Sequence, residues 1–469
     1  MGPDGAVADL DNRARLRLAV AILVLGLLAV AAIAASGMAM PLMSLDSPSY
    51  IAWSTQRTPG YPLFLRFIAA FSPSYSALPA AQYVLFIAAA AAFCDALAAL
   101  LRSRLAGYVT ALAVLGNPYL MRYPTTIMSD SLYLSLVLVH AACVLHTLRR
   151  SGLVWPVLAG VSLGCAILVR PAGYALLLAL PWLPFVWRER RYLRTGALAG
   201  GVAAMILAAC IGDYVYRGYF ATQAYGGVTL VWKIATMAPP QIAGFDPAVT
   251  ARSYDELSPL RDSEQAAGSW DERSLIPILT YNHGQPAFEP LDAAIESDPA
   301  RWQTASPYWR EIALNELSGE YARRVIAADP TEYALRVLRQ VYGMWFMPQL
   351  SNRSTANAVS DILVRVGKLD RARDVDPDIK VLPLWAYGAK FSVFTALLIA
   401  SVYAVVSALF RRDRALAGLA YLSLANHFYF FLVAAVEVAL PRYSLMAWPF
   451  QCAVAFGLVL PLLRRDARR

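Results

Sequence analysis

The sequence predicts an all-α polytopic membrane protein with about ten transmembrane helices and one mostly helical extracytoplasmic domain between helices 7 and 8. Three observations predict it. Of 469 residues, 58% are hydrophobic and only 16% are charged, with a mean hydropathy of +0.47, where soluble domains carry about 25% charged residues. That composition excludes an ordinary soluble enzyme. Ten uncharged runs of 17 or more residues lie at 18–45, 67–94, 105–121, 131–148, 151–169, 171–187, 195–212, 391–410, 415–436 and 443–463, and a helix crossing a bilayer needs about 20 mostly apolar residues. Finally, laying these runs alternately across the membrane puts 18 arginines in the short loops of one side (Arg13 to Arg17, Arg102 and Arg104, Arg149 and Arg150, Arg188 to Arg194, Arg411 to Arg414, Arg464 to Arg469). The other side holds five: Arg57, Arg66, Arg122, Arg170 and Arg442. Cytoplasmic loops carry the excess of Lys and Arg, so the N-terminus is inside.

The domain boundaries follow: 1–212 as an N-terminal transmembrane module, 213–383 outside, and 384–469 as a C-terminal transmembrane module. The outer segment from Asp213 to Lys380 has 22 acids and 17 bases, so the chain's net +9 reflects topology, not nucleic-acid binding. The uncharged run behind Arg17 is 28 residues long, whereas the apolar part of a signal peptide spans about 7–15, so the first run reads as a span. All five cysteines fall in predicted spans, which leaves no disulfide framework for the outer segment.

The first outer loop, 38–77, contains Asp46-Ser47-Pro48, a helix N-cap followed by Pro at the first helical position. Tyr61 to Phe71 follows as a short interfacial helix. Pro118 and Pro124 break the outer loop between spans three and four, and Arg170-Pro171 makes the turn between spans five and six. In the outer segment, 213–300 is rich in Pro, Gly and Asp and predicts mostly loops with a few short elements. Trp309, Ile312, Ala313, Leu317, Tyr321 and Val325 recur at helical spacing. Asp329-Pro330-Thr331-Glu332 opens another helix, with an acid at the N-cap and Glu three residues on.

Charges at membrane depth cost about 2.5–3.5 kcal/mol each, so those present need a reason. Asp46, Arg57, Arg122, Asp130, Arg170, Asp213, Glu437 and Arg442 share one level at the outer ends of spans. Singly, Asp46 and Asp130 read equally well as helix caps meeting the dipole. Together, acids and arginines at one interface suit a reaction in which a carboxylate handles a proton and guanidinium groups hold a phosphate. His140 and His146 lack acidic neighbours at metal-ligand spacing, His283 stands alone in the loop-rich segment, and His427 with its aromatic neighbours reads as packing or lipid-tail contact. No G-x-x-x-x-G-K-[S/T], H-E-x-x-H or G-x-S-x-G occurs, so nucleotide-driven transport and zinc proteolysis have no support.

Asp46-Ser47-Pro48-Ser49-Tyr50, followed by Arg57-Thr58-Pro59-Gly60-Tyr61-Pro62, resembles the first outer loop of bacterial GT-C glycosyltransferases. That group includes the protein O-mannosyltransferases and the lipid A aminoarabinose transferase. Asp130 resembles the group's second acidic position, and Pro441-Arg442-Tyr443 its R-Y pair before a late span. The resemblance implies inverting transfer of one sugar from a polyprenyl-phosphate carrier to an acceptor at the outer face of the inner, cytoplasmic membrane. It implies Asp46 as the base and Asp130 as a group orienting the acceptor. Arg170 and Arg442, then Arg57 and Arg122, would hold the donor phosphate, and Tyr50, Tyr61, Tyr443 and Glu437 would contact substrate. Many members carry Glu directly after the first-loop Asp where this chain has Ser47, so whether a divalent cation takes part stays open. The expected partners are the lipid-linked donor, membrane lipids and an acceptor glycan, lipid or protein, with no nucleic acid. The competing reading is a transporter or flippase for a lipid-linked or anionic substrate, which would place its ionisable groups at the membrane midplane in two related halves. A scaffold leaves the acid and arginine cluster unexplained, and a glycan ligase or polymerase differs little in sequence from a single-sugar transferase.

Overall fold

The computed structural model describes residues 3–35, 41–44, 46–187, 189–259, 261–262, 285–304, 306–346, 384–411, 413–436 and 441–466. Among them the secondary structure is helical, with one isolated bridge between Leu42 and Thr126 and no strand. Among the described residues each of the ten uncharged runs falls largely on helix. Six helices are long and apolar enough to cross a membrane: α4 (Leu78–Leu101), α7 (Asp130–Thr147), α11 (Arg191–Arg217), the Phe391–Phe410 part of α18 (Leu384–Phe410), α19 (Arg414–Val436) and α20 (Pro441–Asp466, apolar over Tyr443–Leu460). They mark a multi-pass membrane protein. The other four runs lie on α1 (Pro3–Ala35), α5 (Arg104–Leu115), α8 (Val154–Val169) and a broken stretch over Pro171–Val186, whose apolar parts are shorter.

The broken stretch has a plain cause. Pro171 starts a 3-10 turn to Gly173, α9 (Tyr174–Leu177) is a single turn, and Pro181 caps α10 (Trp182–Val186). Proline removes a helical N–H and clashes with the preceding turn, so a run counted as one span by its lack of charge is built from three pieces. The outside of the bundle is apolar where lipid would lie: Leu23, Leu27 and Leu28 on α1, Leu207 and Ile211 on α11, and Ile399 and Val402 on α18 are exposed. His140 is wholly buried and bonds the Ala159 carbonyl and the Tyr421 hydroxyl, tying α7 to α8 and α19. It is a core histidine.

Small residues set a close helix contact within the bundle. A Cβ on Gly160 of α8 would run into the Leu198 carbonyl oxygen of α11, and one on Gly201 would lie 2.9 Å from the Val161 nitrogen. Glycines let helices in lipid approach this closely. Gly160→Ala is therefore expected to cost about 1–3 kcal/mol by overpacking, read as a lower thermal midpoint in detergent. Gly200→Ala, one residue from Gly201 with nothing within 4 Å, is expected to be neutral or slightly stabilising. Equal effects of the two changes would contradict this packing.

The segment after α11 is more helical than its composition predicts. α12 (Gly226–Ile234), α13 (Pro247–Glu256), α14 (Gln285–Ser297) and α15 (Pro299–Trp302) precede α16 (Trp309–Ala328) and α17 (Pro330–Phe346). Val231, Ile234, Leu257, Leu291, Leu317 and Tyr321 close a core separate from that of the bundle. The Glu332 N–H donates to Asp329 Oδ1 at 2.9 Å, the cap the sequence predicts.

Lys233, at the end of α12, is buried and bonds Gln340 Oε1 of α17. Burial, with Arg336 adding repulsion, pushes its ammonium down to about 7. Because the unfolded chain keeps that proton up to about pH 10, stability rises with pH from about 7 to about 10, by up to about 1.4 kcal/mol per unit. Below pH 7 the folded state carries the whole cost of the buried charge. Lys233→Met is expected to lose this slope, so that the wild type gains on the variant between pH 7 and 9 in thermal unfolding. Parallel pH profiles would rule it out.

Candidate active site

Two loops meet at one end of the bundle, and backbone geometry explains why. The Leu42 N–H donates to Thr125 O at 2.7 Å, the Ile127 N–H to Leu42 O at 2.9 Å, and Ser47 Oγ to Ile127 O at 2.8 Å. Gln82 and Tyr83 of α4 bond the carbonyls of Pro124 and Met121. The two loops thus form one layer. Gly60, which opens α3 (Gly60–Phe71), sits where a Cβ would lie 2.6 Å from Leu168 O, so the first loop presses directly on the end of α8. There the helix stops because Arg170 precedes Pro171: a residue before proline is driven out of the helical region, and Arg170 is extended at φ −155°, ψ 127°.

The result is a cavity of about 390 Å³ lined by Asp46, Tyr50, Arg57, Arg170, Tyr174 and Tyr225, among others. Asp46 precedes α2 (Ser47–Ile51) but makes no side-chain cap bond. Its Oδ1 instead accepts from Arg57 Nη2 at 2.8 Å, and the carboxylate is 31% exposed. Arg57 is fixed further by Nε donating to Ser49 Oγ at 2.8 Å and by the Tyr50 ring 4.4 Å beneath its guanidinium. Burial works to lower Arg57, but the Tyr50 oxygen and the Asp46 carboxylate outweigh it and hold the guanidinium above its usual range. Tyr50 reaches Ser129 Oγ at 2.8 Å.

Arg170 forms an ion pair with Asp130 Oδ1 and lies over the Tyr443 ring at 4.7 Å. Asp130 is completely buried. It is the first residue of α7, behind Ser129 at the N-cap, and it meets the cavity only through Arg170. Its Oδ2 has no hydrogen-bond partner among the described residues. Asp130 is thus placed as the partner of Arg170.

Of the other expected residues, Tyr61 and Tyr443 are fully buried one layer behind the wall, Tyr61 edge-on to Tyr50 at 5.1 Å and Tyr443 under Arg170. Neither lines the cavity, because each ring is part of the bundle core. Arg122 ends α6 (Pro118–Arg122), which Asn117 caps and Tyr83 holds against α4, and it does not line the cavity either. Arg442 lies in the first turn of α20, and Glu437 falls outside the described residues. Asp213 is buried and pairs with Arg217 at 3.5 Å. Arg217 in turn donates to Trp53 O at 2.9 Å, so this pair joins the first loop to the segment after α11. Among the described residues no group of three His, Cys, Asp or Glu side chains is placed to hold a metal ion, and both Asp46 and Asp130 face a guanidinium.

Gln223, Tyr225 and Thr229 line the cavity and were not anticipated. The Ala224 N–H donates to Thr55 O at 2.9 Å, which swings the start of the outer segment over the first loop. The signal available was the polar aromatic run Tyr214, Tyr216, Tyr219 and Tyr225, too rich in hydroxyls for a plain linker.

No protein-family model matches the sequence, and no curated protein matches it. Two solved structures are loosely similar. ArnT from Cupriavidus metallidurans bound to undecaprenyl phosphate has a TM-score of 0.37 at 12% identity, over 90% of this chain and 77% of that one. The same protein in the apo state has a TM-score of 0.30 at 12% identity, over 82% and 67%. The residues of the cavity carry the functional reading.

Proposed function

We infer that the chain is an inverting glycosyltransferase that moves one sugar from a polyprenyl-phosphate carrier to an acceptor at the outer face of the cytoplasmic membrane. One observation carries this: a partly exposed carboxylate, Asp46, and a buried guanidinium, Arg170, line one cavity at the end of an apolar helix bundle. A single displacement at the anomeric carbon needs both. As the acceptor oxygen or nitrogen bonds to that carbon, Asp46 takes its proton. The carbon–oxygen bond to phosphate breaks, and the charge growing on the leaving polyprenyl phosphate meets Arg170, a strong bidentate donor. Asp130 acts through Arg170 as a positioning residue, and Arg57 fixes the Asp46 carboxylate. Leu432, Val433 and Val436 line the same cavity and suit the first isoprene units of a lipid entering sideways from the membrane. Arg442, on the same helix as Tyr443, is a second donor-phosphate candidate. The arginine bias places this end outside, so residues 213–383 meet the acceptor there.

Binding of polyprenyl phosphate to the purified protein tests the donor side. Arg170→Ala is expected to weaken it by about tenfold or more, the range of a lost charge-assisted pair. Unchanged affinity would remove Arg170 from the donor site.

A further inference from the structure

A second cavity, of about 1340 Å³, opens at the opposite end of the bundle. α7 fixes the separation: it runs from Asp130 to Thr147, about 26 Å at 1.5 Å per residue. At its far end Trp187 Nε1 donates to Thr147 Oγ1 at 3.1 Å, and Trp187 lines the second cavity. This is the end the arginine bias places in the cytoplasm.

The cavity has two facing walls. The start of α11 supplies Arg190, its N-cap, and Arg191, while the turn after α18 supplies Arg411 and the start of α19 supplies Arg414. None of these four guanidinium groups makes an ion pair among the described residues; Arg191 donates to the Tyr192 hydroxyl at 2.8 Å. The one acid on the wall, Asp413, is already used, accepting from Ala415 N and Leu416 N at 2.6 and 3.1 Å as the N-cap of α19. Arg190 and Arg414 also repel the buried Arg194, which Glu189 partly offsets, so four lining arginines face a single lining acid, Asp413, and the site carries a net positive charge.

Between the arginines the lining is apolar and aromatic, with Trp182, Trp187 and Leu409, and the exposed Phe185 and Phe410 continue that surface outward. A free phosphate would satisfy the arginines and leave this surface wet. A lipid satisfies both, and basic pockets between transmembrane helices at the cytoplasmic side suit lipids with anionic headgroups. Two arginine pairs on facing walls match two phosphates. We propose that this cavity binds a phospholipid whose headgroup carries two phosphates, one at each arginine pair, with its acyl chains along Phe185 and Leu409. The site is independent of whether the chain transfers a sugar.

Native mass spectrometry of the full-length protein, titrated with cardiolipin, phosphatidylglycerol or phosphatidylcholine, tests it. Cardiolipin is expected to bind one per chain, about tenfold or more tighter than phosphatidylglycerol, with phosphatidylcholine weaker still. Arg411→Gln with Arg414→Gln should lose that preference, and so should Arg190→Gln with Arg191→Gln on the facing wall, which serves if the first pair fails to fold. Arg102→Gln with Arg104→Gln, equal in charge but outside the cavity, should keep it. Wild-type protein that binds cardiolipin no tighter than phosphatidylglycerol would overturn the proposal. So would equal losses in all three double variants, which would indicate only the general positive field of this end.

Discussion

Replacing Asp46 with Asn is expected to abolish sugar transfer while the protein inserts and folds normally. The change removes one proton acceptor and keeps the shape of the side chain. General-base groups are worth about 10²–10⁴ in rate, and inverting transfer by one displacement has no second acid to stand in, since Asp130 is sealed behind Arg170. The folding effect is small for a separate reason. The Asp46–Arg57 pair is 31% and 20% exposed, and such pairs contribute about 1 kcal/mol or less; Arg57 also keeps Ser49 and the Tyr50 ring. Transfer measured in membranes, beside protein yield and thermal midpoint, separates the two effects. Near-normal turnover would remove Asp46 from the chemistry.

Asp130→Asn should do the reverse in part, damaging stability and transfer together. Asp130 is fully buried, and the Arg170 side chain is 10% exposed. Breaking a buried pair by removing one partner leaves an uncompensated charge and costs about 3–5 kcal/mol. The freed Arg170 also loses the carboxylate that sets it over Tyr443, so donor binding falls with it. Arg170→Gln alone should destabilise by a similar amount for the mirror reason, leaving Asp130 charged and buried. The double variant Asp130→Asn with Arg170→Gln removes both charges and is expected to regain most of the thermal stability while donor binding stays lost. Two residues in one ion pair should couple in this way. If donor binding returned along with stability, Arg170 would be a structural partner and not a phosphate ligand.

Much of this arrangement was legible in the sequence, and the physics says which parts. Membrane burial disfavours charge, so the spacing of charges located the apolar helices of the bundle. Capping chemistry is local, so Asp329 and Glu332 announced the start of α17. The short helix at Gly60–Phe71 showed in its own composition. What the sequence did not carry was which charges meet. Asp130 and Arg170 are 40 residues apart and share a level on two different helices; depth in the membrane sets the level but not the partner. Asp46 looked like a cap because Pro48 follows it, and only the fold shows Arg57 taking its carboxylate. Counting charges also concealed Pro171 and Pro181, which break the sixth run. Gln223 and Tyr225 reached the cavity through a backbone bond to Thr55, a tertiary contact with no local signature.

The most direct measurement of the central claim is transfer of label from a panel of radiolabelled polyprenyl-phosphate sugars, using membranes that contain the wild-type protein, its Asp46→Asn variant or neither. The cavity geometry predicts that label from at least one carrier moves to a lipid, glycan or protein product with wild-type membranes and stays on the carrier in the other two. Transfer by the Asp46→Asn membranes at the wild-type rate, or no transfer from any carrier by a wild-type protein that is folded and inserted, would contradict it.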